Sequence, residues 1–256
     1  MIRNLKMIIE YDGTDFYGWQ YQPGKRTVQG EIEEAIEETT GQPTRIIGAG
    51  RTDQGVHALA QVANFKTESK ILPEKLRKAL NSLTGEDICI KEVSEVPLEF
   101  HARFSAKSKI YQYRIMTQYS PLKRRTHWLV EYKLNIERMK KVIPDLVGEH
   151  DFKNVSVSDE ASTPTNEISP ADSENAHKNT ICRIDDLSLT TDGFDIIISI
   201  EANRFLRKMV RGLVGFLVDV GRGRYYPEDL MQIFSGGQKA IYFAPPQGLC
   251  LMEIRY

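Results

Sequence analysis

The sequence predicts an α+β fold built from two comparable halves. Segments with strand-like alternation and segments with helical periodicity follow one another in two similar sets along the 256 residues. No glycine-rich dinucleotide-binding fingerprint accompanies them, and each set resembles a split β-α-β unit of the ferredoxin-like kind. We place the boundary near Phe104, so that residues 1–103 form the first half and residues 104–256 form the second.

The first half is predicted to begin with a strand and a helix. Apolar and polar side chains alternate over residues 5–11, and Asp12-Gly13 ends this strand in a turn. Thr27 is a suitable N-cap for the helix that follows, and Gly41 is suited to its C-terminal end. The other predicted elements are two strands flanking a glycine-rich stretch, a helix and a strand, at residues 45–47, 60–65, 72–83 and 88–93.

The second half repeats this order. Its predicted elements are strand 109–117, helix 136–146, strands 181–190 and 194–201, helices 203–220 and 227–234, and strand 249–256. Residues 155–178 are rich in Ser, Thr, Pro, Asn and acidic side chains and have no apolar period. We therefore expect a mobile surface loop there.

Composition bounds the class of protein. No apolar run approaches the roughly 20 residues that span a bilayer, and Arg3 and Lys6 interrupt any N-terminal signal core. We therefore expect a cytoplasmic protein with no membrane association. The three cysteines are odd in number and far apart, which predicts neither a disulfide nor a metal site.

The distribution of basic residues along the chain says more about nucleic-acid binding than the net charge does. The net charge of −1 does not indicate a nucleic-acid-binding protein, whose basic residues are clustered. Four basic clusters nevertheless occur: Lys107 with Lys109, Lys123-Arg124-Arg125, Arg204 with Arg207-Lys208 and Arg211, and Arg222 with Arg224. Such a cluster is typical either of a phosphate-binding surface or of an ordinary solvated face.

The strongest candidate for chemistry is Asp53, in the string Gly-Arg-Thr-Asp-Gln-Gly-Val-His-Ala at residues 50–58. Its glycines let the backbone turn tightly and approach a ligand closely. A carboxylate that attacks carbon must be ionised, and Arg51 or Arg211 would keep it so if either lay beside it. Alternatively, Asp53 only caps the turn. No second carboxylate lies near it in sequence, and we interpret His57 as structural.

Aromatic and basic side chains form two further candidate groups. Tyr111 and Tyr113 share one face of the strand that contains Lys109, where a tyrosine either stacks on an extruded base or packs in the core. In the predicted helix 203–220, helical spacing places four cations on one stripe. That stripe faces either a cleft holding phosphates and a carboxylate or only water; its members are Arg204, Arg207, Lys208 and Arg211.

The literal strings of the chain, in their order, resemble the tRNA pseudouridine synthase A family over nearly the whole length. The matching strings are Tyr11-Asp12-Gly13-Thr14, Gly18-Trp19-Gln20, Thr27-Val28-Gln29-Gly30, residues 50–58, residues 100–106, Tyr111-Gln112-Tyr113, His150-Asp151-Phe152, Asn203 with Phe205, Met209-Val210-Arg211, Ala244-Pro245 and Gly248-Leu249. The resemblance implies two ferredoxin-like, RRM-like halves whose antiparallel sheets join around a central active-site cleft, in a homodimer that grips one tRNA.

The resemblance also implies residue roles and substrates. Asp53 is the nucleophile, Arg51 lies beside it, Tyr111 contacts the uracil and Arg211 pairs with Asp53. Further RNA contacts are expected from basic side chains at Lys109, Arg204, Arg207 and Lys208. The substrates are uridines 38, 39 and 40 of the tRNA anticodon stem-loop, and the reaction needs no metal or cofactor.

The implied chemistry agrees with a single carboxylate, because the uracil is detached, turned and rejoined through C5 without water. Asp53 attacks C1′ or C6, or removes the C2′ proton to give a glycal, and the sequence leaves these open. Gln54 departs from the family, which commonly has a small residue there, and the acidic loop is longer than usual. A non-catalytic RNA-binding protein and a nucleoside hydrolase are the rival hypotheses.

Overall fold

The computed structural model describes residues 1–157, 179–236 and 241–256, which divide into two compact units. The first unit comprises Met1–Lys109 and Cys250–Tyr256, and the second comprises Ile110–Leu249. Each unit contains both strands and helices, and the α+β prediction is confirmed. The last seven residues belong to the first unit although they follow the second along the chain.

The elements of the first unit are β1 (Arg3–Tyr11), α1 (Val28–Thr40), β2 (Ile47–Gly48), β3 (His57–Thr67), α2 (Pro73–Leu83), β4 (Ile88–Val96) and β10 (Leu249–Arg255). In its sheet, β1 lies between β3 and β4 and is antiparallel to both. β3 is in turn parallel to β10 through Cys250 and Leu251, and the short strand β2 pairs with the far end of β3.

Local sequence signals account well for β1 and α1. On β1, alternate side chains are fully buried, as the predicted period of two requires: Leu5, Met7 and Ile9. At the start of α1, the Thr27 hydroxyl accepts a hydrogen bond from the Gly30 amide. At its end, Gly41 is left-handed, with a φ of 72°. Both helix boundaries predicted from the sequence are confirmed.

The elements of the second unit are β5 (Ser108–Met116), β6 (Trp128–Leu129), α3 (Ile136–Leu146), β7 (Gly148–Asp151), β8 (Ile181–Asp192), β9 (Asp195–Ala202), α4 (Met209–Gly221) and α5 (Asp229–Phe234). Its sheet runs in the order β5, β9, β8, β7, and β6 pairs with β5. β7 was not predicted, because its sequence Gly-Glu-His-Asp has no apolar alternation; its pairing with β8 defines it.

The prediction of a helix over residues 203–220 is wrong for its first six residues. α4 begins only at Met209, because Lys208 takes a left-handed conformation with a φ of 60°. Asn203 is instead tied to the neighbouring strand, since its amide donates to the Arg183 carbonyl and its side chain accepts from the Arg183 amide. The predicted basic stripe therefore does not exist on this helix: of its four members, Arg211 alone lies within α4.

α4 is buried on nearly all sides. Two glycines allow backbone to press against it: a Cβ on Gly212 would lie 2.3 Å from the Val155 carbonyl oxygen, and one on Gly215 would lie 1.7 Å from that of Tyr242.

Neither α4 nor any other helix in the described ranges is both long and apolar enough to cross a membrane.

The predicted loop at residues 155–178 falls mostly outside the described residues, which stop at 157 and resume at 179. Its first residue, Val155, is buried at the end of a short 3-10 turn, Lys153–Val155. The Val157 amide donates to the Arg207 carbonyl oxygen at 3.0 Å. The beginning of this segment is therefore packed against α4 and the residues just before it.

Candidate active site

Asp53 lies in the loop between β2 and β3 of the first unit and is half-buried. The loop closes on itself through a hydrogen bond from the Val56 amide to the Asp53 carbonyl oxygen at 3.2 Å. Gly55 takes the left-handed conformation that this turn requires, with a φ of 78°. Farther back, the Gly50 carbonyl accepts a hydrogen bond from the side chain of Gln61, which is fully buried.

A second segment presses against the back of this loop. Gly18 has a φ of 91°, and a Cβ placed on it would lie 2.6 Å from the Thr52 carbonyl oxygen and 3.1 Å from the Asp53 carbonyl carbon. The Trp19 amide donates to the same Thr52 oxygen at 3.1 Å. The backbone of Asp53 is therefore held by a close approach that only a glycine permits.

Buried side chains fix the loop from within the core. The Tyr11 and Thr52 hydroxyls share a hydrogen bond at 2.8 Å. Burial raises the pKa of Tyr11 above its usual range, so the phenol stays neutral and serves as a hydrogen-bonding support. Trp19 is buried beneath Gly48, whose hypothetical Cβ would lie 2.6 Å from the indole Nε1. These contacts fix the backbone on which Asp53 is carried.

His57 has a structural position, as the sequence interpretation held. It is buried, and its Nδ1 accepts a hydrogen bond from the Gly13 amide at 3.1 Å. The Asp12 carboxylate is also 3.1 Å from this nitrogen. The hydrogen bond from the Gly13 amide fastens the Asp12-Gly13 turn to the end of the Asp53 loop. A Cβ on Gly13 would lie 2.0 Å from the Val56 carbonyl oxygen, so this turn also requires glycine.

Two of the predicted cations of the first unit lie in or beside the loop. Arg51 is exposed, two residues before Asp53. The Lys109 ammonium lies 3.2 Å from the position that a Cβ on Gly50 would occupy. The loop therefore combines one carboxylate with positive charge, an arrangement suited to an anionic ligand.

The other predicted catalytic residues belong to the second unit. Tyr111 on β5 is 7% exposed and packs edge-on against Phe205, with ring centroids 5.0 Å apart. The Arg211 guanidinium donates through Nε to the Ala244 carbonyl at 2.7 Å, and the Ala244 amide donates back to the Arg211 carbonyl. This reciprocal pair fixes the direction of the arginine. The proximity of Tyr111 and Arg211 to Asp53 remains a prediction.

Tyr113 belongs to the core. Its hydroxyl donates to the Pro245 carbonyl oxygen at 2.7 Å, and burial raises its pKa above the usual range. Gly248 packs on its ring, since a Cβ there would lie 2.6 Å from two ring carbons. The strings Ala244-Pro245 and Gly248-Leu249 therefore support Arg211 and Tyr113 structurally.

The remaining basic candidates precede α4 in the second unit. Arg204 donates to the Asn179 carbonyl at 3.1 Å, and the Lys208 ammonium lies over the Phe243 ring, 5.8 Å from its centroid. Arg207 contributes its backbone carbonyl to the bond with Val157. Among the described residues, no group of three or more His, Cys, Asp or Glu side chains is arranged to hold a metal ion.

Comparison with known proteins decides the family. A family model described as tRNA pseudouridine synthase matches residues 7–105 and 142–256. The chain belongs to this family. A tRNA pseudouridine synthase A of Thermoanaerobacter sp. (strain X514) is 43% identical over 259 residues, which cover both chains completely. Another from Citrifermentans bemidjiense is 41% identical over 260 residues, covering all of this chain and 98% of that protein.

The sequence alone did not reveal the supports of the Asp53 loop. Gln61 had a detectable signal, because it is a polar residue between Ala60 and Val62 at an inward position of a predicted strand. Thr52 had none, since its partner Tyr11 is 41 residues away along the chain. Supports of this kind become visible only when strands separated in sequence are paired.

Proposed function

We propose that this protein isomerises uridine to pseudouridine at positions 38, 39 and 40 of the tRNA anticodon stem-loop, with Asp53 as nucleophile. It acts as a homodimer in the cytoplasm. Membership in the tRNA pseudouridine synthase family supports the reaction and the substrate class. The observation that most directly supports the residue assignment is the Asp53 loop, whose backbone is fixed by Gly18, Tyr11 and Gln61.

The reaction balances without water or a redox partner. The N1–C1′ bond breaks, a C5–C1′ bond forms, the C5 proton leaves and N1 gains a proton. Asp53 starts this sequence at C1′, at C6 or at the C2′ proton. A fixed carboxylate is suited to each of these routes, because preorganised geometry lowers the entropic part of the barrier.

The other candidates have supporting roles in this proposal. Tyr111 stacks on the detached uracil and helps to remove the C5 proton, and Arg211 pairs with Asp53 and keeps it ionised. Extruding the target uridine costs a few kcal/mol. Cationic contacts to the RNA backbone offset that cost, and they come from Arg51, Lys109, Arg204, Arg207 and Lys208.

Incubation of the protein with transcript tRNA tritiated at uridine C5 tests the reaction type. Isomerisation releases tritium as water and leaves the chain intact, hydrolysis releases free uracil, and mere binding does neither. We expect tritium release without chain loss. Free uracil, or no release from any tRNA, would instead support the hydrolase or the RNA-binding hypothesis.

A further inference from the structure

The segment at residues 16–21, which presses on the Asp53 loop, contains four aromatic residues, of which two are buried and two are exposed. Phe16 and Trp19 are 1% and 2% exposed and anchor the segment in the core of the first unit. Tyr17 and Tyr21 are 43% and 41% exposed. The anchors therefore hold two exposed aromatic residues that flank, in sequence, the glycine in contact with the Asp53 loop.

The backbone beneath both exposed rings is fixed. The Tyr17 amide donates to the Arg26 carbonyl at 2.9 Å. The Tyr21 amide donates at 2.9 Å to the side chain of Gln29, whose own amide group donates to Glu33 and to the Ile46 carbonyl. Because these hydrogen bonds already fix the backbone, less conformational entropy is lost when a base stacks on the rings.

Each exposed ring is accompanied by a cation. The Lys25 ammonium lies over Tyr17, 4.4 Å from the ring centroid, and the Arg45 guanidinium lies over Tyr21 at 4.8 Å. Arg45 also pairs with Glu33 at 2.6 Å, which fixes it in place. Aromatic surfaces beside cations are typical of sites that bind unstacked nucleotides, since the rings stack on bases and the cations attract phosphates.

The contact with the Asp53 loop places the segment that carries both rings next to the proposed nucleophile. Gly18, between the two tyrosines in sequence, is the residue that presses on Thr52 and Asp53. We propose that Tyr17, Tyr21, Lys25 and Arg45 form an aromatic platform that receives the nucleotides flanking the target uridine. This inference rests on the proposed function, in which Asp53 acts on a uridine extruded from tRNA. The cations beside both rings favour RNA over a protein partner.

Removal of the rings tests the platform. Tyr17→Ala and Tyr21→Ala are each expected to raise the dissociation constant for transcript tRNA at least about fivefold, because a stacking surface is lost. The rate at saturating tRNA should stay near the wild-type value, since Asp53 is unaffected. Tyr17→Trp and Tyr21→Trp should restore binding. Lys25→Gln should lower the slope of log affinity against log salt by about 0.7 to 0.9.

Tyr226→Ala is the matched control. This tyrosine is 52% exposed and has Arg138 over its ring at 5.0 Å, but it lies in the second unit. It should bind tRNA as the wild type does. Thermal unfolding of every variant checks that each one folds, and the Trp and Lys25→Gln variants remain informative if an alanine variant does not.

Binding and turnover are measured separately, so two failures can be told apart. If both alanine variants bind tRNA like the wild type, the platform is wrong even though the wild type still releases tritium. If the wild type binds tRNA through these rings but releases no tritium, the proposed function alone is wrong. If the alanine variants change only the sedimentation coefficient of the protein, the surface contacts protein and the inference is wrong.

Discussion

Asp53→Asn is expected to reduce tritium release from C5-labelled tRNA by about 10⁴-fold or more, the range seen when a nucleophile is removed from other enzymes. The amide has nearly the same shape as the carboxylate, so the loop held by Gly18 and Gln61 should keep its conformation. The variant should still shift tRNA in a native gel, because binding depends on cationic and aromatic side chains elsewhere.

A matched control separates nucleophilic chemistry from loss of charge. Glu38→Gln removes one exposed carboxylate from α1 of the same unit and should release tritium at the wild-type rate. If Asp53→Asn is as fast as the wild type, the site assignment is wrong. If it binds no tRNA, then Asp53 supports the RNA-binding surface, and loss of turnover no longer identifies a nucleophile.

Gly18→Ala is expected to lower the rate at saturating tRNA by about 10²-fold, because displacement of a reacting group by about 1 Å costs that much. An alanine Cβ would lie 2.6 Å from the Thr52 carbonyl oxygen, and the φ of 91° is strained for any L residue. The Asp53 loop must therefore move. The measurement is the single-turnover rate, with thermal unfolding to confirm that the variant folds.

Gly41→Ala controls for backbone strain alone. Its φ of 72° is also left-handed, but nothing lies within 4 Å of the added Cβ. It should lose about 1 kcal/mol of stability and keep its single-turnover rate. If the two variants lose activity equally, general destabilisation explains the loss, and the close contact between Gly18 and the loop has no special role.

Much of the fold was predictable, because its signals are local. The caps at Thr27 and Gly41 and the alternation along β1 depend only on neighbouring residues, and both were read correctly. The start of α4 was not predicted correctly. The hydrogen bonds between Asn203 and Arg183 and the left-handed conformation of Lys208 depend on the tertiary structure. Periodicity continues through this break and so indicates a helix six residues too early.

The candidate site, too, was predictable from the sequence only in part. The glycines around Asp53 indicated a tight, accessible loop, and the structure adds the partners that fix it, Tyr11 and Gln61. The spacing around Asp53 alone favoured a turn cap, so its assignment as nucleophile depends on the motif strings of the whole chain. The roles of Tyr111 and Arg211 depend on the same resemblance, since no sequence spacing connects them to Asp53.

Mapping of pseudouridine in transcript tRNA after incubation with the purified protein tests the central claim most directly. The proposed function predicts new pseudouridine at one or more of positions 38, 39 and 40 with the wild type, and none with Asp53→Asn. Pseudouridine that forms only outside the anticodon stem-loop, or that forms equally with Asp53→Asn, would contradict it.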